Sequence, residues 1–244
     1  MKYENPIVRK LRELGSVSGE ERLALESAVS TVTRIPMDRD MVSEGSHPNF
    51  STMLIEGFAA RYKHVPSGKR QIVSIHVPGD FVDLHSFLLK RMDHSVVAFT
   101  DCRMALVPHE RLREITDRFP NLTRLLWLST LIDAAIHREW LLGMGRRKAF
   151  ANVAHLVCEL YLRLRVMKLT QDFRFDLPLT QQELADTTGL SIVHLNRALQ
   201  DLRSRHLLTW EAGVVTITDW PGLVRRGEFD PTYLQLNVDE LSPA

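Results

Sequence analysis

The chain is short of cysteine, of net charge and of long apolar runs, and each shortage closes off a class of protein. Two cysteines, Cys102 and Cys158, in 244 residues are too few for a disulfide scaffold or for a cysteine-ligated zinc or iron–sulfur site. They read as small buried hydrophobes in a reducing compartment. Thirty-one Lys and Arg against thirty Asp and Glu leave a formal charge of +1, so any nucleic-acid contact must come from a local patch rather than a whole-molecule field. The most apolar stretch, Leu125 to Ile136, is interrupted by Asp133 and is too short to span a bilayer. The opening MKYENPIVRKLRELG mixes both charge signs without an apolar core, unlike a secretory signal, and a cytoplasmic protein with no membrane partner is expected. There is no Gly-rich phosphate loop, no His-Glu-x-x-His and no Gly-x-Ser-x-Gly. The pattern therefore points away from an enzyme and assigns neither catalytic residues nor a metal site.

What is present changes texture near residue 119. Before it, Val73, Ile75 and Val77 alternate with Ser74 and His76, and Cys102, Met104 and Leu106 repeat the same two-residue period, the mark of β-strands with one apolar face. Pro66-Ser67-Gly68 and Pro78-Gly79-Asp80 supply the turns, since proline fixes one φ and the next residues tolerate a positive one. Several short strands spaced this way predict a closed or sandwiched antiparallel arrangement.

From Pro120 the period becomes helical. Leu125, Leu128, Ile132, Ala135 and Leu142 form one apolar stripe, and Trp127, Leu131, Ala134 and Leu141 a second beside it. About 23 residues would make a rod of roughly 35 Å. Two stripes need two partners, and these are expected to be the chain's own β domain and a second copy of the chain. Gly143-Met144-Gly145 is expected to break the helix and act as a hinge, followed by the basic run Arg146-Arg147-Lys148. A further helix over about 149–167 and a polar loop over 170–176 come next.

The most informative segment starts at Thr180. Thr180 and Glu183 form a capping box that opens a helix, Gly189 closes it, and Ser191 caps the next. A short helix, a tight glycine turn and a second capped helix make a helix-turn-helix. In the second helix Leu195, Leu199 and Leu202 share the inward side, leaving Val193, Arg197 and Gln200 outward with His194 and Asn196 at the flanks. The residues assigned to double-stranded DNA are Thr180, Gln182, Ser191, Val193, His194, Asn196 and Arg197, with Arg146 and Arg147 adding phosphate contacts. Arg197 is placed to meet guanine O6 and N7. Two β-rich pieces around Glu211-Ala212-Gly213 read as a hairpin wing. From Asp176 to Arg226 there are five positive and six negative residues, net −1, so one such domain alone would hold DNA weakly.

The order β-roll, long helix, winged helix-turn-helix resembles the Crp/Fnr family of bacterial transcription regulators over about residues 20 to 226. The marks are Pro78-Gly79-Asp80-Phe81, the long helix, and Leu179-Thr180-Gln181-Gln182-Glu183-Leu184-Ala185 through Arg197. The resemblance implies an α+β protein: a jelly-roll-like antiparallel β-roll with a helical lead (1–118), a dimerisation helix and hinge (119–145), a winged helix-turn-helix (146–226) and a tail (227–244). It also implies a homodimer on a twofold-symmetric site and contact with RNA polymerase. The effector pocket would involve Asp83, His85, His94, Ser95, His137 and Arg138.

Departures from the family pattern narrow the effector. Cyclic-AMP-binding members carry Gly-Glu-Leu and, about ten residues on, Arg-Ser; the similar positions here are Val82-Asp83-Leu84 and His94-Ser95. Without the arginine the permanent charge for a phosphate is lost, so cyclic AMP is not expected. An oxygen-sensing branch uses four cysteines, so an iron–sulfur cluster is not expected either. A haem-binding branch has a histidine just after the same Gly-Asp turn, where His85 stands, and a haem-dependent gas sensor on this scaffold is the alternative reading. Val193 replaces a common glutamate early in the reading helix, and would favour a thymine methyl over cytosine.

Overall fold

The computed structural model describes residues 5–236. Two helices, α1 (Pro6–Leu14) and α2 (Gly19–Ala28), precede seven strands. These are β1 (Thr31–Ile35), β2 (Asp40–Val42), β3 (Phe50–Glu56), β4 (Ala59–His64), β5 (Arg70–His76), β6 (Ser95–Ala98) and β7 (Cys102–Pro108), with a 3-10 turn at Leu84–Phe87. Then come α3 (His109–Arg118), α4 (Pro120–Arg146), α5 (Ala149–Val166), β8 (Thr170–Gln171) and β9 (Arg174–Asp176). The chain continues through α6 (Gln181–Thr188), α7 (Ile192–Ser204), β10 (Leu208–Glu211), β11 (Val214–Ile217), α8 (Trp220–Arg226) and a 3-10 turn at Pro231–Leu234. The described residues form two compact units, one from 5–63 and 74–134, the other from 64–73 and 135–236. Among the described residues no helix is long and apolar enough to cross a membrane.

The first unit holds antiparallel sheets in the orders β1-β7-β3 and β2-β6-β4-β5. Strand β7 is buried on both faces: Cys102 and Met104 join Leu54, Val82, Val96 and Ala98 in one core. Ala105 and Val107 join Met53 and Ile55 in another, beneath Val8 and Leu11 of α1, Leu25 of α2, Leu112 of α3 and Leu122 and Leu125 of α4. The single apolar face predicted for these strands is therefore incomplete. Ser74 and His76, read as the outward side of β5, are also buried, and a shift in the β3–β7 register between Leu54 and Glu56 alters the period.

In the second unit α5 is buried along most of its length. The segment expected to be a polar loop at 170–176 instead forms the hairpin β8–β9, which extends the wing into a sheet of order β10-β11-β9-β8. The wing itself turns on Ala212 and Gly213, both with positive φ (49° and 79°), the backbone of a tight two-residue hairpin whose twist matches its strands. Past α8 the chain does not run free, since Phe229 and Leu234 are buried and Phe229 meets His155 of α5 edge-on at 5.0 Å.

Helix α4 departs from expectation at its end. It runs unbroken for 27 residues to Arg146, through Gly143 and Gly145, and the chain leaves the helical path only at Arg147 and Lys148. Gly143 answers a packing need, because a Cβ there would fall 2.3 Å from Asn152 Oδ1. The two stripes separate in part as expected: of the inner one Leu125 and Ile132 are buried and Leu128 and Ala135 half-buried, whereas Trp127 (65% exposed), Leu131 (52%) and Leu141 of the second face outward. Leu142, assigned to the inner stripe, is exposed as well.

Gly145 has open space around its Cβ position, whereas Gly189 holds φ +69°. Gly145→Ala should stabilise the protein by up to about 1 kcal/mol through helix propensity, and Gly189→Ala should destabilise it by about 1 kcal/mol through left-handed strain. Urea denaturation of the two variants checks the opposite signs.

Candidate DNA-reading surface and effector pocket

The helix-turn-helix is built by its caps. Thr180 accepts from the Glu183 amide at 3.2 Å while the Glu183 carboxylate accepts from the Thr180 amide at 2.7 Å and from its hydroxyl at 2.8 Å. Ser191 Oγ accepts from the His194 amide at 3.3 Å and lies 3.0 Å from His194 Nδ1. Both cap hydroxyls are thus engaged within the fold, and what α6 and α7 offer a phosphate is their first-turn amides. Leu195, Ala198, Leu199 and Leu202 are buried, which fixes the rotation of α7 about its axis.

The outer face then follows. Val193, His194, Arg197 and Gln200 are exposed, and so is Ile192, which periodicity did not single out. Among the described residues no hydrogen bond or ion pair is recorded for Arg197. Gln182 is exposed but donates to Asp186 Oδ1 at 2.6 Å. Asn196 is half-buried and donates to Gln181 Oε1 at 3.3 Å, bracing α7 on α6 rather than standing free. The nearby arginines are committed elsewhere: Arg203 donates to the Trp210 carbonyl, and Arg205 pairs with Asp201.

The basic run after α4 divides. Arg146 and Lys148 are exposed, but the Arg147 side chain is 6% exposed and pairs with Glu139 at 2.7 Å. Its expected role toward phosphate does not agree with this placement, because the pairing and burial take its charge away from solvent.

The pocket residues of the first unit gather around an arginine that sequence reasoning missed. Arg61 of β4 is 4% exposed. Its Nε donates to the Val82 carbonyl at 2.8 Å, and its Nη1 pairs with Asp133 of α4. The available signal was a lone arginine directly after the apolar run Phe58-Ala59-Ala60. Burial, and after it the Arg61 charge, lowers the pKa of His76 to about 4 and of His85 to about 3, and lowers that of His94. All three rings are neutral at physiological pH. Burial also raises the Asp83 pKa to about 7, against the hydrogen bonds from the Thr52 amide and hydroxyl.

His85 and His94 stand with ring centroids 4.9 Å apart. His94 Nδ1 donates to Asp93 Oδ1 at 2.8 Å, and Ser95 Oγ accepts from the Glu44 amide at 2.9 Å. His137 and Arg138 lie on α4 within the second unit, the former half-buried and the latter exposed. Asp80 of the Pro78-Gly79-Asp80 turn is buried, takes Lys10, and accepts from the Val77 amide at 3.0 Å, so that turn is a structural anchor. The cradle does not fit a cyclic nucleotide. Asp83 is occupied by Thr52, and a neutral His94 stands where the phosphate-binding arginine would be. Nor do the thiols fit a cluster, since Cys102 and Cys158 are both buried and burial raises both pKa values.

A β-roll followed by a long helix and a winged helix-turn-helix defines a two-part regulator, and the comparisons agree. Residues 33–119 match the cyclic nucleotide-binding domain and residues 151–226 the Crp-like helix-turn-helix domain. The chain belongs to the Crp/Fnr family of transcription regulators; it is a DNA-binding regulator and not an enzyme. It is 30% identical over 213 residues to the transcriptional activatory protein AadR of Rhodopseudomonas palustris, covering 85% of this chain and 84% of that one. It is 26% identical over 214 residues to the transcriptional activator protein FnrL of Cereibacter sphaeroides, covering 86% of each. The FixK2 structure from Bradyrhizobium japonicum shares the fold with TM-score 0.73 at 23% identity, covering 80% of this chain and 96% of that one.

Because the folded state holds the Asp83 proton more tightly than an unfolded carboxylate does, Asp83 erodes stability as pH rises from about 4 towards 7. Asp83→Asn should therefore melt a few degrees above the parent at pH 8, with the gap closing by about pH 4. A series of thermal melts across that range checks it.

Proposed function

We propose that the protein works as a cytoplasmic homodimer that reads a twofold-symmetric duplex site through α7 and contacts RNA polymerase as an activator. The observation that carries this reading is the outer face of α7, where Val193, His194 and Arg197 project from a helix whose opposite side is locked by buried leucines. In a helix-turn-helix the N-terminal part of the second helix enters the major groove. Arg197 is there the bidentate partner for guanine, and Val193 and Ile192 offer apolar contact to thymine methyls. The relatives' names, activator proteins of this family, support the activating role.

Dimerisation follows from two constraints. The helix-turn-helix and wing carry net −1, so one reading head lacks the counterion-releasing charge for tight binding. Two heads on one duplex gain affinity by avidity, and the exposed Arg146 and Lys148 supply positive charge outside that segment. The exposed Trp127, Leu131 and Leu141 on α4 provide an apolar stripe of the kind that helix pairing covers. Regulation would act by shifting the population of conformers in which both heads meet successive major grooves.

Arg197→Ala should weaken binding to a selected specific duplex by about 5- to 150-fold, equivalent to roughly 1 to 3 kcal/mol, with little change on random duplex. Unchanged affinity for the specific duplex in fluorescence anisotropy would remove Arg197 from the reading set. Separately, the double change Trp127→Glu and Leu131→Glu should give monomers by light scattering and abolish specific binding, and a dimer that survives these changes would contradict the interface.

A further inference from the structure

The β-roll contains a donor set that DNA reading does not use. A ring nitrogen of His85, a ring nitrogen of His94 and a carboxylate oxygen of Asp93 all lie within 4.8 Å of one another. His94 is 7% exposed, and the Nε2 atoms of both His85 and His94 are buried without a hydrogen-bond partner. Leaving a ring nitrogen buried and unpaired costs free energy unless something occupies it. His94 Nδ1 gives its proton to Asp93 at 2.8 Å, so the neutral ring presents Nε2 as a lone pair, the carboxylate–histidine arrangement that tunes metal ligands.

We propose that the Nε2 atoms of His85 and His94, with Asp93 fixing the His94 ring from its Nδ1 side, bind one divalent late first-row transition ion. Two imidazoles select zinc, cobalt or nickel over calcium or magnesium, whose preferred donors are oxygens. Donors around such an ion stand about 3.4 Å apart at metal–nitrogen distances near 2.1 Å, a separation within reach of two rings whose centroids are 4.9 Å apart. Nearby charges are paired: Arg61 with Asp133, Lys63 with Glu44 and the Asp93 carbonyl, and the Asp93 carboxylate with the His94 ring. The site lies wholly within the first unit, so the inference goes beyond the DNA-reading function and does not depend on it.

The test uses full-length, tag-free protein stripped with a chelator and titrated with Co2+ alone, read by visible absorption. The expected result is saturation at one equivalent per chain with d–d bands. The bands are lost in His85→Gln and His94→Gln, binding is weakened about 10- to 100-fold in Asp93→Asn, and the exposed His47→Gln behaves as the parent. Because a buried histidine variant can unfold, Zn2+ is also added to unaltered, 15N-labelled protein, where the ring nitrogens of His85 and His94 alone among ten histidines should show coordination shifts. Absence of saturable binding, binding that survives both histidine changes, or shifts on other histidines would each overturn the proposal.

Discussion

Arg61 is a guanidinium sealed inside the β-roll, and the need to pair it organises what surrounds it. Its Nε is satisfied by the Val82 carbonyl and its Nη1 by Asp133 on α4. Stranding such a charge costs several kcal/mol, so the pair fixes β4 against the segment before Asp83 and against the middle of the long helix. The same charge, together with burial, holds His76, His85 and His94 neutral. A pocket of neutral imidazoles around a compensated guanidinium is chemically unlike one built to grip a phosphate diester.

In the second unit the governing constraint is rotational. Four buried side chains on α7 and two capping interactions leave one orientation for the helix, and that orientation presents Arg197 outward. Asn196 and Gln181 brace the two helices, so the reading face is held by polar as well as apolar contacts. Arg203 and Arg205 are engaged within the fold, which leaves few cationic side chains on the outer face of this unit.

Much of this was legible in the sequence because local chemistry decided it. The capping box at Thr180, the left-handed Gly189, the leucine register of α7 and the wing turn are set by neighbours a few residues away, and each appears as read. What escaped was decided by distant packing. The glycines at 143 and 145 signal a helix break on propensity, yet α4 passes through them, and Gly143 is required by Asn152. Arg147 looks like a free cation in a basic run, but Glu139, two helical turns earlier, captures it. Ser74 and His76 alternate like surface residues and are nevertheless buried. Arg61 carried no motif, and its importance emerges only when β4, Val82 and α4 are brought together.

The central claim is that α7, presented twice by a dimer, reads sequence. Selection of bound sites from a random duplex pool with purified protein at near-physiological salt addresses it most directly. The account predicts enrichment of an inverted repeat with half-sites about one helical turn apart, each containing a guanine in reach of Arg197. Recovery of duplexes with no shared sequence, at every salt concentration where binding occurs, would contradict it.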